Sequence, residues 1–215
     1  MEPTTPLEPA GTNAFASRTN WAGNYAYGAS EFAESGSEAA LRKSLASTKA
    51  AKAVGSRHSF NHIADTSGTQ ISTSLLKAMT LDVATCTVTI GAGVTYGELA
   101  PFLDREGFAL QNLASLPHIS VAGACSTGTH GSGLENGCLS TAVRAVNIVR
   151  ADGACITLSR ESDPEVFPYA VINLGALGVI TTMTLEVVPA FRVAQTVFEN
   201  LSLDVLEKQL PEVFG

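Results

Sequence analysis

Gly55-Ser56-Arg57-His58-Ser59-Phe60-Asn61 follows the short apolar run Ala51–Val54, which reads as the end of a strand. Small residues let the chain turn sharply there with its amides facing outward, and one histidine stands at the tip. Taken alone, the stretch has two readings. It is a tight turn with a solvated histidine, or it is a loop holding a phosphate-bearing ligand at the C-terminal end of a strand, where ligands gather in open α/β structures.

Working upstream, residues 37–48 read as a helix, with Ser37 as cap and Leu41 and Leu45 four apart on one face. Residues 49–54 and 71–75 read as strands, which gives a βαβ-like lobe. Order is expected to begin near Thr19-Asn20-Trp21, while residues 1–18, with Pro3, Pro6 and Pro9, read as a disordered lead-in. Downstream the texture changes. Residues 79–83 and 87–90 are short, Thr/Val-rich and alternating, as in antiparallel strands. Residues 95–106 read as a helix opened by a Thr95/Glu98 capping box and stopped by Gly107. The Gly/Ser/Thr-rich stretch 111–136 reads as a long functional loop. Strands follow at 142–150 and 154–159, with Asp152-Gly153 as the turn signal between them. A short helix at 164–170 precedes an alternating strand at 179–188. A strand at 191–199 and a helix at 201–210 open a further unit.

Composition excludes several classes. A net charge of −7 and a pI of about 5.0, without a basic cluster, argue against a nucleic-acid groove. An anionic cofactor would then rest mainly on backbone amides and hydroxyls. With 19 glycines and only 15% charged residues, the chain suits close backbone approaches. Cys86, Cys125, Cys138 and Cys155 form no CxxC pair, and read as buried reduced thiols. No apolar run of about 18 residues and no secretory leader is visible, so a cytoplasmic protein is expected.

Three Gly-rich stretches carry candidate chemistry: 55–59, 120–133 and 175–180. None is a P-loop, which needs Gly-Lys-Ser/Thr, and none is the GxGxxG dinucleotide fingerprint. Each alone is more often a turn than a phosphate cradle. The Thr and Ser hydroxyls around His130 can meet phosphate oxygens. His118 reads as structural. His58, His62, His118 and His130 show no ligand spacing, so no metal site is assigned.

Taken together and in order, four stretches resemble a known family. Residues 55–61, then Ala114-Ser115-Leu116-Pro117-His118-Ile119-Ser120-Val121-Ala122-Gly123, then Thr127-Gly128-Thr129-His130-Gly131-Ser132-Gly133, then Leu174-Gly175-Ala176-Leu177-Gly178-Val179-Ile180 are similar to the PCMH-type FAD-binding domain of the vanillyl-alcohol-oxidase superfamily. Alditol (xylitol) oxidases are most alike, with sugar-lactone oxidases next. The resemblance implies an α+β fold of two lobes, at about 19–78 and 79–190, with FAD between them. It implies that Ala53, Val54, Gly55, Ser56, Arg57, His58 and Ser59 wrap the FAD pyrophosphate. It implies that His58 bonds covalently to the flavin 8α carbon, which withdraws electron density and raises the redox potential. Ser115, Ser120 and Gly123 would line the flavin, Thr127, Gly128, Thr129 and His130 would contact it, and Ile180 would meet the adenine side. Ala114 falls where a small side chain admits dioxygen in such oxidases, and reads equally well as a small core residue.

The sequence departs from the family in two ways. Arg57 stands where similar oxidases often have glycine; a cation there can pair with phosphate, but it hinders a turn that needs positive φ. The family also continues into a substrate-binding cap domain, of which residues 191–215 are expected to be only the beginning, so catalytic residues for a polyol or sugar-lactone substrate are not assigned. Three functions stay open on these residues: the FAD portion of an oxidase that takes hydride from a CH–OH group and reduces dioxygen to hydrogen peroxide, a flavin-binding module inactive by itself, and a carbohydrate-binding or structural domain without flavin.

Overall fold

The computed structural model describes residues 19–133, 135–197 and 199–214, so the expected lead-in at 1–18 lies outside the described residues. The chain first builds a small parallel sheet from β1 (Glu31–Glu34), β2 (Ala51–Val54) and β3 (Thr69–Ser72), in the order β1-β3-β2. Helix α1 (Glu38–Ala46) joins β1 to β2. It starts where Ser37 accepts a hydrogen bond from the Ala40 amide at 3.2 Å, and it buries Leu41 and Leu45.

Two strands depart from expectation. β1, Glu-Phe-Ala-Glu, carries no alternating pattern because it is a half-exposed edge strand. β3 covers 69–72 rather than 71–75, and all four of its residues are buried although Thr69, Gln70 and Ser72 are polar. As the central strand it has neighbours on both edges, and its polar side chains find internal partners. Gln70 Nε2 donates to Ala64 O at 2.6 Å, and Thr69 Oγ1 bonds Glu31 and Thr48.

The second sheet is antiparallel, in the order β4-β5-β9-β7-β8, built from Met79–Asp82, Thr87–Gly91, Val179–Glu186, Val143–Val149 and Cys155–Ser159. The β7–β8 hairpin turns at Asp152-Gly153, where Gly153 has φ +77° and Asp152 accepts from the Ala154 amide. A two-stranded ribbon of β6 (Phe108–Ala109) and β10 (Val188–Pro189) sits beside it.

Helices α2 (Tyr96–Arg105) and α3 (Val121–Ser126) cover one face of the larger sheet. Leu99, Leu103, Val121 and Cys125 are fully buried against Val88, Ile90, Ile148 and Met183. The capping box forms as read: the Thr95 amide donates to Glu98 Oε2 at 2.8 Å. α3 corrects the expectation of one long loop over 111–136, because the small residues of 121–126 pack a helix tightly onto the core. α4 (Phe167–Val171) starts later than expected because Pro168 fits only in a first turn. The helix expected at 201–210 divides into α5 (Leu203–Lys208) and α6 (Leu210–Phe214), since Pro211 has no N–H to continue the ladder. Residues 191–197 form no strand, and no described segment pairs with them.

A second, smaller cluster joins the lobes: Leu41, Leu45 and Ile71 of the first pack on Val149 and Val179 of the second. The thiols also differ from expectation. Cys125 is buried, whereas Cys86 and Cys155 are exposed and Cys138 is half-buried, because the latter three lie on turns, a loop and a sheet-edge strand.

Candidate cofactor site

Strand β2 delivers the chain to Gly55 at the mouth of a cleft between the two sheets. A Cβ on Gly55 would collide with Ser120 Oγ, so glycine there lets the loop lie directly against the start of α3. The contact is fixed by Ser56 Oγ, which accepts from the Ser120 amide at 3.2 Å. Gly123 is under a similar constraint, since a Cβ there would stand 2.6 Å from Ser120 Oγ.

Arg57 adopts φ +62°, the left-handed region in which the Cβ of any residue but glycine is crowded by the backbone. The N-terminal segment holds it there. The Trp21 amide donates to Arg57 O at 2.9 Å, Arg57 Nη1 donates to Thr19 O at 3.2 Å, and Asn20 Nδ2 donates to Ser59 O at 2.9 Å. Asn20 is buried and also accepts from the Tyr25 amide. Three residues upstream thus clamp the loop from outside, and their bonds offset the strain at Arg57.

Asp65 latches the same segment from below. Its carboxylate accepts from the Gly28 amide at 2.9 Å, from Tyr25 Oη at 2.8 Å and from the Thr66 amide at 2.8 Å. Partial burial pushes its pKa up, but these donors outweigh that and hold it below the usual carboxylate value. A depressed folded pKa means stability present above the ordinary value of 3.8 and lost as pH falls through the folded one. Asp65→Asn is therefore expected to flatten the acid limb of the stability curve below about pH 4 and to lower stability at pH 7 by about 1–3 kcal/mol. Urea unfolding at both pH values checks this, and parallel curves for the two proteins would refute it.

His58 projects from the clamped loop. Its Nε2 lies 2.7 Å from Nε2 of His118. The indole of Trp21 stacks on both rings, at centroid distances of 4.4 Å and 5.7 Å. Partial burial, and then the charge His118 can carry, lower the His58 pKa. His58 is thus neutral at neutral pH, with a ring nitrogen lone pair available.

The cleft has a volume of about 340 Å3. Ala53, Val54, Gly55, Ser56, Arg57, His58 and Ser59 line one wall, and Ser120, Gly123, Thr127, Thr129 and Ile180 the other. Asn173, Leu174 and Gly175 close one end. Ser115, Gly128 and His130 do not line it; Ser115 and His130 are exposed, and Gly128 forms the turn after α3 with φ +66°. Ala114 is half-buried and packs on the main core. His118, set aside as structural on sequence, stands against His58. Its only signal is a tertiary contact spanning sixty residues, which no local pattern carries. Among the described residues, no three His, Cys, Asp or Glu side chains group as metal ligands, and no helix is long and apolar enough to cross a membrane.

These residues fit an anionic dinucleotide. The walls carry hydroxyl-bearing residues together with Lys52 and Arg57, and their backbone comes close where Gly55 and Gly123 lack a Cβ. Residues 32–159 match the family described as FAD binding domain, and the chain belongs to that family. It is 45% identical to the alditol oxidase of a Streptomyces species over 88% of this chain and 46% of the relative. It is 35% identical to the L-gulonolactone oxidase of Mus musculus over 87% of this chain and 44% of that protein. To the D-arabinono-1,4-lactone oxidase of Saccharomyces cerevisiae it is 41% identical, over 53% of this chain and 22% of the relative. Among solved structures, 6-hydroxy-D-nicotine oxidase of Arthrobacter nicotinovorans superposes with a TM-score of 0.70 at 22% identity, covering 87% of this chain and 44% of that one. The Physcomitrella patens BBE-like 1 protein gives a TM-score of 0.69 at 19% identity, covering 80% and 39%. The fold is thus the two-lobed PCMH-type α+β fold, as the resemblance implied, and FAD is the cofactor of the family. The chain spans under half the length of each of these relatives.

Proposed function

We propose that this chain is the FAD-binding portion of an oxidase that takes hydride from a CH–OH carbon of a polyol or sugar lactone and passes the electrons to dioxygen, giving hydrogen peroxide. The observation that carries the proposal is the 45% identity to an alditol oxidase over 88% of the chain, with the expected loop, His58 included, lining the inter-lobe cleft. Bound FAD supplies the hydride acceptor and the route of electrons to dioxygen.

The chain's own residues bind and orient that group. Residues 53–59 wrap the pyrophosphate, with their backbone amides and the Ser56 and Ser59 hydroxyls meeting its charge. Ser120 and Gly123 flank the flavin, Thr127 and Thr129 extend that contact, and the Ile180 backbone meets the adenine side. His58 is the covalent attachment residue. Residues 191–215 begin the substrate domain. Four unpaired thiols, two of them exposed, favour a reducing compartment such as the cytoplasm.

Loading the chain with FAD and mixing it anaerobically with a panel of alditols and aldonolactones tests the proposal. Bleaching of the flavin colour, with hydrogen peroxide on readmitting air, is the expected result. Protein that stays colourless after loading would overturn the cofactor assignment. Colour that no panel member bleaches would favour the second reading, a flavin-binding module inactive by itself, which the chain's coverage of under half of each relative supports.

A further inference from the structure

The His58–His118 contact imposes a tautomer on both rings. At 2.7 Å between two Nε2 atoms, one ring donates and the other accepts. Trp21 covers the pair, with its plane within 24° of His58 and 23° of His118, which restricts rotation of either ring. Among the described residues, His118 has no other hydrogen-bond partner and no ion pair, and Nδ1 of His58 has no hydrogen bond. When His118 accepts, His58 carries its proton on Nε2 and its lone pair on Nδ1. A ring that forms a bond through Nδ1 becomes cationic unless the Nε2 proton leaves, and His118 is the base in contact with that proton.

We propose that His118 is a positioning residue and proton acceptor for His58: it fixes the tautomer with the lone pair on Nδ1 and takes the Nε2 proton as His58 bonds to the cofactor. This rests on the reading of His58 as the attachment residue. In the step, the Nδ1 lone pair forms a nitrogen–carbon bond to the 8α carbon. One C–H bond at that carbon breaks and its proton passes to solvent. The Nε2 proton passes to His118. The electron pair released goes through the isoalloxazine to dioxygen, which takes up two protons and leaves as hydrogen peroxide.

The test is the time course of acid-stable flavin after FAD is added to the full chain prepared without flavin, read as fluorescence of the denatured protein. His118→Ala is expected to slow attachment about 100-fold. His118→Gln, which restores an acceptor but not a base, is expected to recover about tenfold of that loss. Docking is measured separately as FAD affinity in His58→Ala and in His58→Ala/His118→Ala, which are expected to match. Attachment at the wild-type rate in both single variants would overturn the proposal. So would an affinity loss in the double variant equal to the rate loss, which would make His118 part of docking only. If His118→Ala does not fold, the same comparison with His118→Gln decides. A wild-type chain that binds FAD but releases all of it to acid would remove the attachment at His58 itself, and the inference with it.

Discussion

Replacing His58 by alanine is expected to move all of the flavin from the acid-precipitated pellet to the supernatant, while the native variant still binds FAD. The site explains why the loss is complete. His58 is held neutral at the loop tip, inside the cleft, against Trp21 and His118. Among the lining residues His58 carries the one imidazole; Lys52 stands on β2, before the loop, and the hydroxyl and amide groups elsewhere on the walls are not nucleophiles at neutral pH. The variant's thermal midpoint should also begin to depend on free FAD. At a hundredfold excess over Kd a reversible ligand adds about 2.7 kcal/mol, or roughly 5–10 °C for a domain of this size. Wild-type protein with its flavin attached should show no such dependence. Acid-stable flavin remaining in His58→Ala would place the attachment elsewhere.

Gly178→Ala is expected to be the most damaging single-methyl change at the cleft. Gly178 has φ +142°, a conformation essentially reserved for glycine, and it leads into β9 beside β7. A Cβ would collide with Val149 O and stand 2.9 Å from Ile148 Cγ2. A backbone carbonyl within the sheet cannot swing aside as a side chain does. Strain and overpacking together suggest a loss of about 2–6 kcal/mol, or a fall in Tm on the order of 10 °C. Gly153→Ala is the control: φ is +77°, but nothing lies within 4 Å of the added methyl, so about 1–2 kcal/mol is expected. Equal midpoints for the two variants would refute the close-packing account.

Local chemistry made the helices legible. Ser37 and the Thr95/Glu98 box marked where α1 and α2 begin, and Asp152-Gly153 marked the β7–β8 turn, because caps and turns are set by residues within a few positions of each other. The order and spacing of four motif stretches carried the fold class. What stayed hidden depended on partners distant in sequence. β1 is short and half-exposed, and β3 buries polar residues whose partners lie on other elements. Residues 191–197 read as part of a strand, but a strand needs a ladder, and none is offered among the described residues. Arg57 could be recognised as a misfit, but not the clamp from Thr19 to Trp21 that holds it at positive φ. His118 had no local pattern to mark it, because it meets His58 only after both lobes have formed.

The small cluster joining the lobes also sets a timetable for synthesis. Leu41, Leu45 and Ile71 leave the ribosome roughly a hundred residues before Val179 completes their packing. At 5–20 residues per second the parallel sheet waits about 5–20 s with its apolar side uncovered. During that interval the nascent chain is open to chaperones and to wrong partners, and the loop bearing His58 exists before the wall it faces.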